Sequence, residues 1–116
     1  MKNANDHFGN SNGTQNYYKY QVIAMYYTDG VKDLAENCRA YWLIDLVMSY
    51  QFIPAIKREE FQVWRLLKNQ DNTFIIKCTD GNEREIATQL IPLCDFPYDA
   101  ATLWLSAGVL LLPCEY

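Results

Sequence analysis

The spacing of apolar positions changes along the chain. Residues 1–16 carry no periodic pattern; Asn, Gly and Ser dominate, and Phe8 is the one aromatic. This predicts a flexible arm over residues 1–13 ahead of a single domain over 14–116. The next stretch, residues 17–27, is rich in tyrosine and compatible with either a strand or a helix; the Val22, Met25 and Tyr26 spacing favours a short helix. Thr28 or Asp29 then supplies a helix start, and Asp29 also suits the positive dipole end. Val31, Leu34, Ala35, Cys38, Tyr41 and Trp42 recur at helical spacing, with Lys32 and Glu36 placed as an i,i+4 pair. One long helix is predicted over residues 29–50, ended before Pro54.

Beyond residue 60 the period becomes two. Residues 60–68, 73–79, 84–93 and 102–112 alternate or run apolar with β-branched and aromatic side chains. Polar turns at 69–72 and 80–82 and a loop at 95–99 separate them. Short turns make neighbouring strands antiparallel. The predicted fold is α+β, with one long helix packed on an antiparallel meander of about four strands.

Two places in this pattern hold candidate chemistry. The run 40–48 is apolar except for Asp45. A helix apolar all round is buried all round, so Asp45 is expected to be buried and to need donors or a raised pKa. Tyr41 and Ser49 lie one turn away and Trp42 at i−3. The set reads as a structural carboxylate, or alternatively as a general base in a pocket between helix and sheet. The strand at 102–112 is apolar on both faces, and one helix covers one face of a sheet. Trp104, Leu110 and Leu112 are therefore candidate interface residues and the chain a candidate homo-oligomer.

Composition narrows the classes. The 116 residues are half apolar and carry 10 basic against 14 acidic side chains, a net charge of −4, with no basic stripe. Nucleic-acid binding is not expected. Aromatics make up 15%, nine of them tyrosine, which suits a surface that binds protein. The four cysteines have no C-x-x-C spacing and His7 is the sole histidine. No metal, cofactor or disulfide framework is expected, and no catalytic residues are assigned. Phosphate-binding, dinucleotide and zinc-protease motifs are absent. No leader or membrane span is read, so the expected location is cytoplasmic.

Three stretches carry a family resemblance: residues 27–32 (YTDGVK), residues 40–45 (AYWLID) followed by Ser49-Tyr50-Gln51, and residues 108–116 (GVLLLPCEY). With Val63-Trp64 and Asp95-Phe96-Pro97 between them, they resemble a small uncharacterised bacterial domain-of-unknown-function family, met in cyanobacteria and Bacteroidetes and often on mobile elements. The resemblance spans residues 14–116 and implies a cytosolic, stand-alone accessory domain. Cys114 stands where that family usually has Ser, which argues against a required thiol. The function reading is a non-catalytic protein-interaction module, possibly self-associating. The alternatives are a small enzyme or ligand-binding protein using Asp45, and an acidic inhibitor or decoy of a nucleic-acid-binding protein.

From the cysteine spacing, treatment with chelator and reductant together is expected to leave the far-UV signal and melting midpoint unchanged. A fall of several degrees under either reagent would overturn it.

Overall fold

The computed structural model describes residues 2–8, 16–20 and 23–116. Its elements in order are α1 (Ala4–Phe8), β1 (Tyr17–Lys19), β2 (Tyr26–Thr28), α2 (Asp29–Asn37), α3 (Tyr41–Ser49), a 3-10 turn (Tyr50–Phe52), α4 (Pro54–Lys57), β3 (Phe61–Lys68), β4 (Phe74–Thr79), β5 (Glu85–Ile91), β6 (Ala100–Ser106), β7 (Val109–Leu111) and a last 3-10 turn (Pro113–Glu115).

The fold is α+β, but the single long helix is corrected to two helices of nine residues each. Thr28 caps α2 from extended backbone, its Oγ1 accepting the Val31 N–H at 3.4 Å. The helix then stops at Arg39, whose φ of 53° lies in the left-handed region, and the Ala40 N–H closes back on the Ala35 carbonyl at 2.8 Å. The reason is geometric. At about 100° per residue, the stripe Val31–Leu34–Ala35–Cys38 and the stripe Leu43–Ile44–Val47–Met48 would fall on nearly opposite sides of one continuous helix. All eight side chains are buried. Breaking the helix lets both stripes join one core.

The four-strand meander is likewise corrected, to a mixed seven-stranded sheet of order β1-β2-β7-β6-β3-β4-β5. Strands β3, β4 and β5 do form consecutive antiparallel neighbours. β6 returns to the far side of β3 instead of extending the meander past β5. Its residues are mostly buried, and a strand apolar on both faces is best placed centrally. The predicted strand over 102–112 is split by a two-residue turn, Ala107-Gly108, both at positive φ (49° and 83°), so β7 folds back on β6. The segment expected as a short helix forms β1 and β2 instead; β2 joins the sheet parallel to β7. Val22 lies outside the described residues.

Register assigns the faces. Leu110, Leu105, Leu103, Gln62, Trp64, Leu66, Cys78 and Ile76 share one face through the pairs Leu105↔Leu110, Gln62↔Leu105, Trp64↔Leu103, Trp64↔Cys78 and Leu66↔Ile76. Apart from Gln62, all of these belong to the same core cluster as the α2 and α3 stripes. Gln62 is the polar member of this face and is buried. Its side-chain carboxamide pairs reciprocally with that of Gln51, at 2.9 Å in each direction. Gln62 Nε2 also donates to the Ile56 carbonyl at 3.0 Å, Gln51 Nε2 to the Val47 carbonyl at 3.0 Å, and Trp64 Nε1 to Gln62 Oε1 at 2.9 Å. The end of α3, the start of α4 and β3 are thereby tied at one point.

The amino-terminal segment differs from the expected arm. Ala4 is fully buried in the core, and Asn3 bridges Ala100 in parallel. Among the described strands β7 pairs only with the last part of β6, leaving the Thr102 backbone groups without a strand partner on the β7 side. The Asn5 side chain fills that gap: Oδ1 accepts the Thr102 N–H at 2.6 Å and Nδ2 donates to its carbonyl at 2.9 Å. A carboxamide here imitates a peptide group. Residues 9–13 of the expected arm lie outside the described residues.

Asn5→Ala is expected to lower stability by about 1–3 kcal/mol, because it leaves two part-buried backbone groups without partners. Denaturant unfolding of the full chain checks this; an unchanged midpoint would show that water replaces the amide without cost.

Candidate functional site

The sequence-nominated polar set does not converge. Asp45 is exposed, which corrects the expectation that it is buried. Leu43, Ile44, Val47 and Met48 fill the inward side of α3, and Asp45 takes the outward side, among the part-exposed Tyr41, Trp42 and Leu46. Its Oδ1 accepts the Tyr20 hydroxyl at 2.8 Å. Burial of that hydroxyl, then the bond to Asp45, hold the Tyr20 pKa above the ordinary tyrosine value. The Tyr41 hydroxyl turns instead to Glu36 at 3.1 Å, and Ser49 Oγ donates to the Leu46 carbonyl at 2.6 Å. Glu36 also holds Lys32 at 3.2 Å, the i,i+4 pair expected from the spacing.

The candidate interface set divides between the two faces. Leu110 and Leu112 are 0% exposed and belong to the core, so neither side chain is open to a partner. Trp104 lies on the face opposite α2 and α3. Cys38 and Cys78 are buried, and burial pushes their thiols up to about 11 and about 12. At neutral pH both remain thiols, the unreactive form. No cluster of three potential metal ligands occurs among the described residues. Nor is any helix among them long and apolar enough to cross a membrane.

Among the described residues, unused surface gathers on the face opposite α2 and α3. Phe61, Trp104 and Tyr116 meet edge to face, with ring centroids 5.3 Å apart for Phe61–Trp104 and 5.4 Å for Trp104–Tyr116. Tyr116 remains 76% exposed, and Tyr17, at 59%, extends the aromatic surface toward the β1 edge. Beside Trp104 opens a pocket of about 340 Å³, lined by Asn3, Asn5, Arg65, Thr102, Trp104, Pro113 and Cys114. A smaller cleft of about 180 Å³, bounded by Tyr17, Val109, Leu111 and Tyr116 among others, lies on the β7 side.

Glu115 secures the chain end that carries Tyr116. Its Oε1 accepts the Thr28 hydroxyl at 2.6 Å and the Leu112 N–H at 2.9 Å, while Oε2 accepts the Gly30 N–H at 3.1 Å. A carboxylate at the first turn of α2 also meets the positive end of the helix dipole. Gly30 is needed for this approach, since a Cβ there would lie 2.7–2.9 Å from the Glu115 carboxylate. The sequence reading missed Glu115, Arg65 and the Gln51–Gln62 pair. Gln62 had a signal, as a polar residue in register with the buried positions of β3. The other contacts depend on residues about 85 positions apart or on which sheet face is left open.

Gly30→Ala is expected to destabilise the intact protein by about 1 kcal/mol through displacement of Glu115. In a Glu115→Ala background the same change should be neutral or stabilising, by up to about 1 kcal/mol, because Ala outranks Gly within a helix. A double-mutant cycle on melting midpoints checks this; additive effects would deny the coupling.

Comparison with other proteins adds a family and no activity. Neither the curated proteins nor the solved structures contain a significant match to this chain. The family assignment rests on a match over residues 2–116, which takes in the amino-terminal segment that completes the β6 edge: the chain belongs to DUF6876, a family of unknown function.

Proposed function

We propose that this protein is a non-catalytic interaction module whose working surface is the face of the sheet opposite α2 and α3. The observation that carries the reading is the contrast between the two faces. One is closed by α2 and α3 and contributes most of the core. The other displays Trp104, Phe61 and Tyr116 beside an open pocket containing an arginine. Trp, Tyr and Arg are the residue types that dominate binding energy at protein interfaces. The titratable groups support the same reading: Asp45 faces solvent with a tyrosine partner, and the two core thiols are held protonated by burial.

The partner that fits is a protein presenting an acidic group. Arg65 on β3 and Lys77 on β4 are directly opposed on this face, while the chain as a whole is at −4. A second copy applied to the same face by a two-fold axis would bring two such pairs together. Self-association has support at another place: β5 is an edge strand of seven residues with Leu90 exposed, open to pairing with a second β5. The setting proposed with this reading is a bacterial cytoplasm, as an accessory domain carried on mobile elements; its support is the resemblance in the YTDGVK, AYWLID and GVLLLPCEY stretches.

A photo-crosslinking phenylalanine analogue at position 104 is expected to capture a protein in the source cell, and one at exposed position 36 of α2 is expected to capture none. Adducts at 36 and none at 104 would overturn the proposed surface. Light scattering over a concentration series, with Leu90→Lys as control, tests the β5 pairing.

A further inference from the structure

We infer that the pocket beside Trp104 is a binding subsite for a compact oxyanion, a carboxylate or a phosphate, held by Arg65. The inference rests on the binding-surface reading and names the chemistry of its central contact.

Three observations converge on it. First, the pocket is lined with donors. Arg65 brings a guanidinium, and Thr102 a hydroxyl that makes no hydrogen bond to another described residue. The Asn3 amide has its oxygen engaged by the Asn5 N–H at 2.9 Å, which leaves its nitrogen to donate. No carboxylate is found among the described lining residues.

Second, the charges on this face are frustrated in the unliganded protein. Arg65 and Lys77 are direct cross-strand partners, and neither makes an ion pair among the described residues. Like charges directly opposite on neighbouring strands destabilise a sheet. Their outer cross-strand neighbours are Thr102 on one side and Thr88 on the other, so no acid in register neutralises them. In a chain with more acids than bases, two unpaired cations facing each other on an open face are the arrangement an incoming anion relieves.

Third, the pocket has the size and wall for an anion attached to a ring. About 340 Å³ exceeds what a bare phosphate needs, and Trp104 forms one side. A guanidinium offers two parallel N–H donors to a planar or tetrahedral oxyanion, while the adjacent indole packs against the group that carries it. A phosphorylated tyrosine of a partner protein, or an acidic side chain beside an aromatic one, meets that description.

The test follows the Trp104 indole and the Thr102 and Asn5 amides by two-dimensional NMR of the full chain, at constant ionic strength. The titrants are inorganic phosphate, acetate, phenyl phosphate and phenylacetate. Expected are saturable shifts confined to these signals, with the phenyl-bearing member of each pair binding more tightly. Arg65→Gln should weaken binding about tenfold or more, and Lys77→Gln by less. The phosphate and carboxylate arms decide between a phosphorylated and an acidic partner side chain. Both variants should also raise the melting temperature of the unliganded protein, a readout independent of any ligand. Shifts reproduced by chloride, binding unchanged in Arg65→Gln, or a melting temperature lowered by both variants would each overturn the inference.

A single-stranded oligodeoxynucleotide is a further arm. Binding tighter than phenyl phosphate, lost in Arg65→Gln, would keep the oxyanion subsite and overturn the protein-partner reading. If no anion binds while position 104 still crosslinks a protein, this inference fails and the binding surface stands.

Discussion

The reciprocal amide pair of Gln51 and Gln62 is the constraint on which the arrangement of the two layers depends. Hydrophobic burial is not directional: it drives the helices onto the sheet without deciding where along it they sit. A buried carboxamide is directional and costs free energy if any of its groups is left unpaired. Here each amide is satisfied by the other and by a backbone carbonyl, and Trp64 adds its own N–H. Shifting β3 by one residue would carry Gln62 and Trp64 together to the open face and leave the buried Gln51 amide without its partner. Among the described residues no buried side-chain polar atom lacks a partner, so the network closes.

From that fixed point the two chain ends acquire structural duties. Asn5 completes the ladder of β6 where β7 runs out, and Glu115 seats the last turn against the start of α2. Each end supplies hydrogen-bonding groups to backbone that would otherwise lack partners. Both segments also wall the clefts of the open face, Asn3 and Asn5 on one side, Pro113 and Cys114 on the other. The contacts that stabilise the fold and the contour of the proposed binding surface are therefore made by the same residues.

The open face follows from limited helical mass. Two helices of nine residues, a 3-10 turn and a one-turn α4 cover one side of a seven-stranded sheet. On the other side the described residues supply a short amino-terminal segment, the final turn and a cluster of rings. The chain leaves apolar and aromatic area accessible there and places its two opposed cations in the middle of it. Burial of such area against a partner contributes about 25 cal/mol per Å², and charge complementarity selects which partner benefits.

The sequence by itself determined the strand segments β3, β4 and β5 and their turns, because period-two alternation and polar turn residues are local signals. It also determined a helix start at Thr28 or Asp29, of which Thr28 is the cap, and the Lys32–Glu36 pair, each made within one or two helical turns. Local pattern could not determine which strand neighbours β3, since β6 is brought there by closure of the whole sheet. The apolar run around Asp45 was read as buried on every side; the tertiary structure turned α3 so that four apolar side chains face inward and Asp45 faces water. A run's composition fixes how much of it is buried, while helix phase against the sheet fixes which residue is not. The helix break at Arg39 has the same origin, because two stripes out of phase become one buried face only when there is a sheet to receive both. Trp104 was legible as an apolar residue on a strand with two apolar faces. That Leu110 and Leu112 lie inside while Trp104 lies beside Arg65 was decided by register and by the Ala107-Gly108 turn.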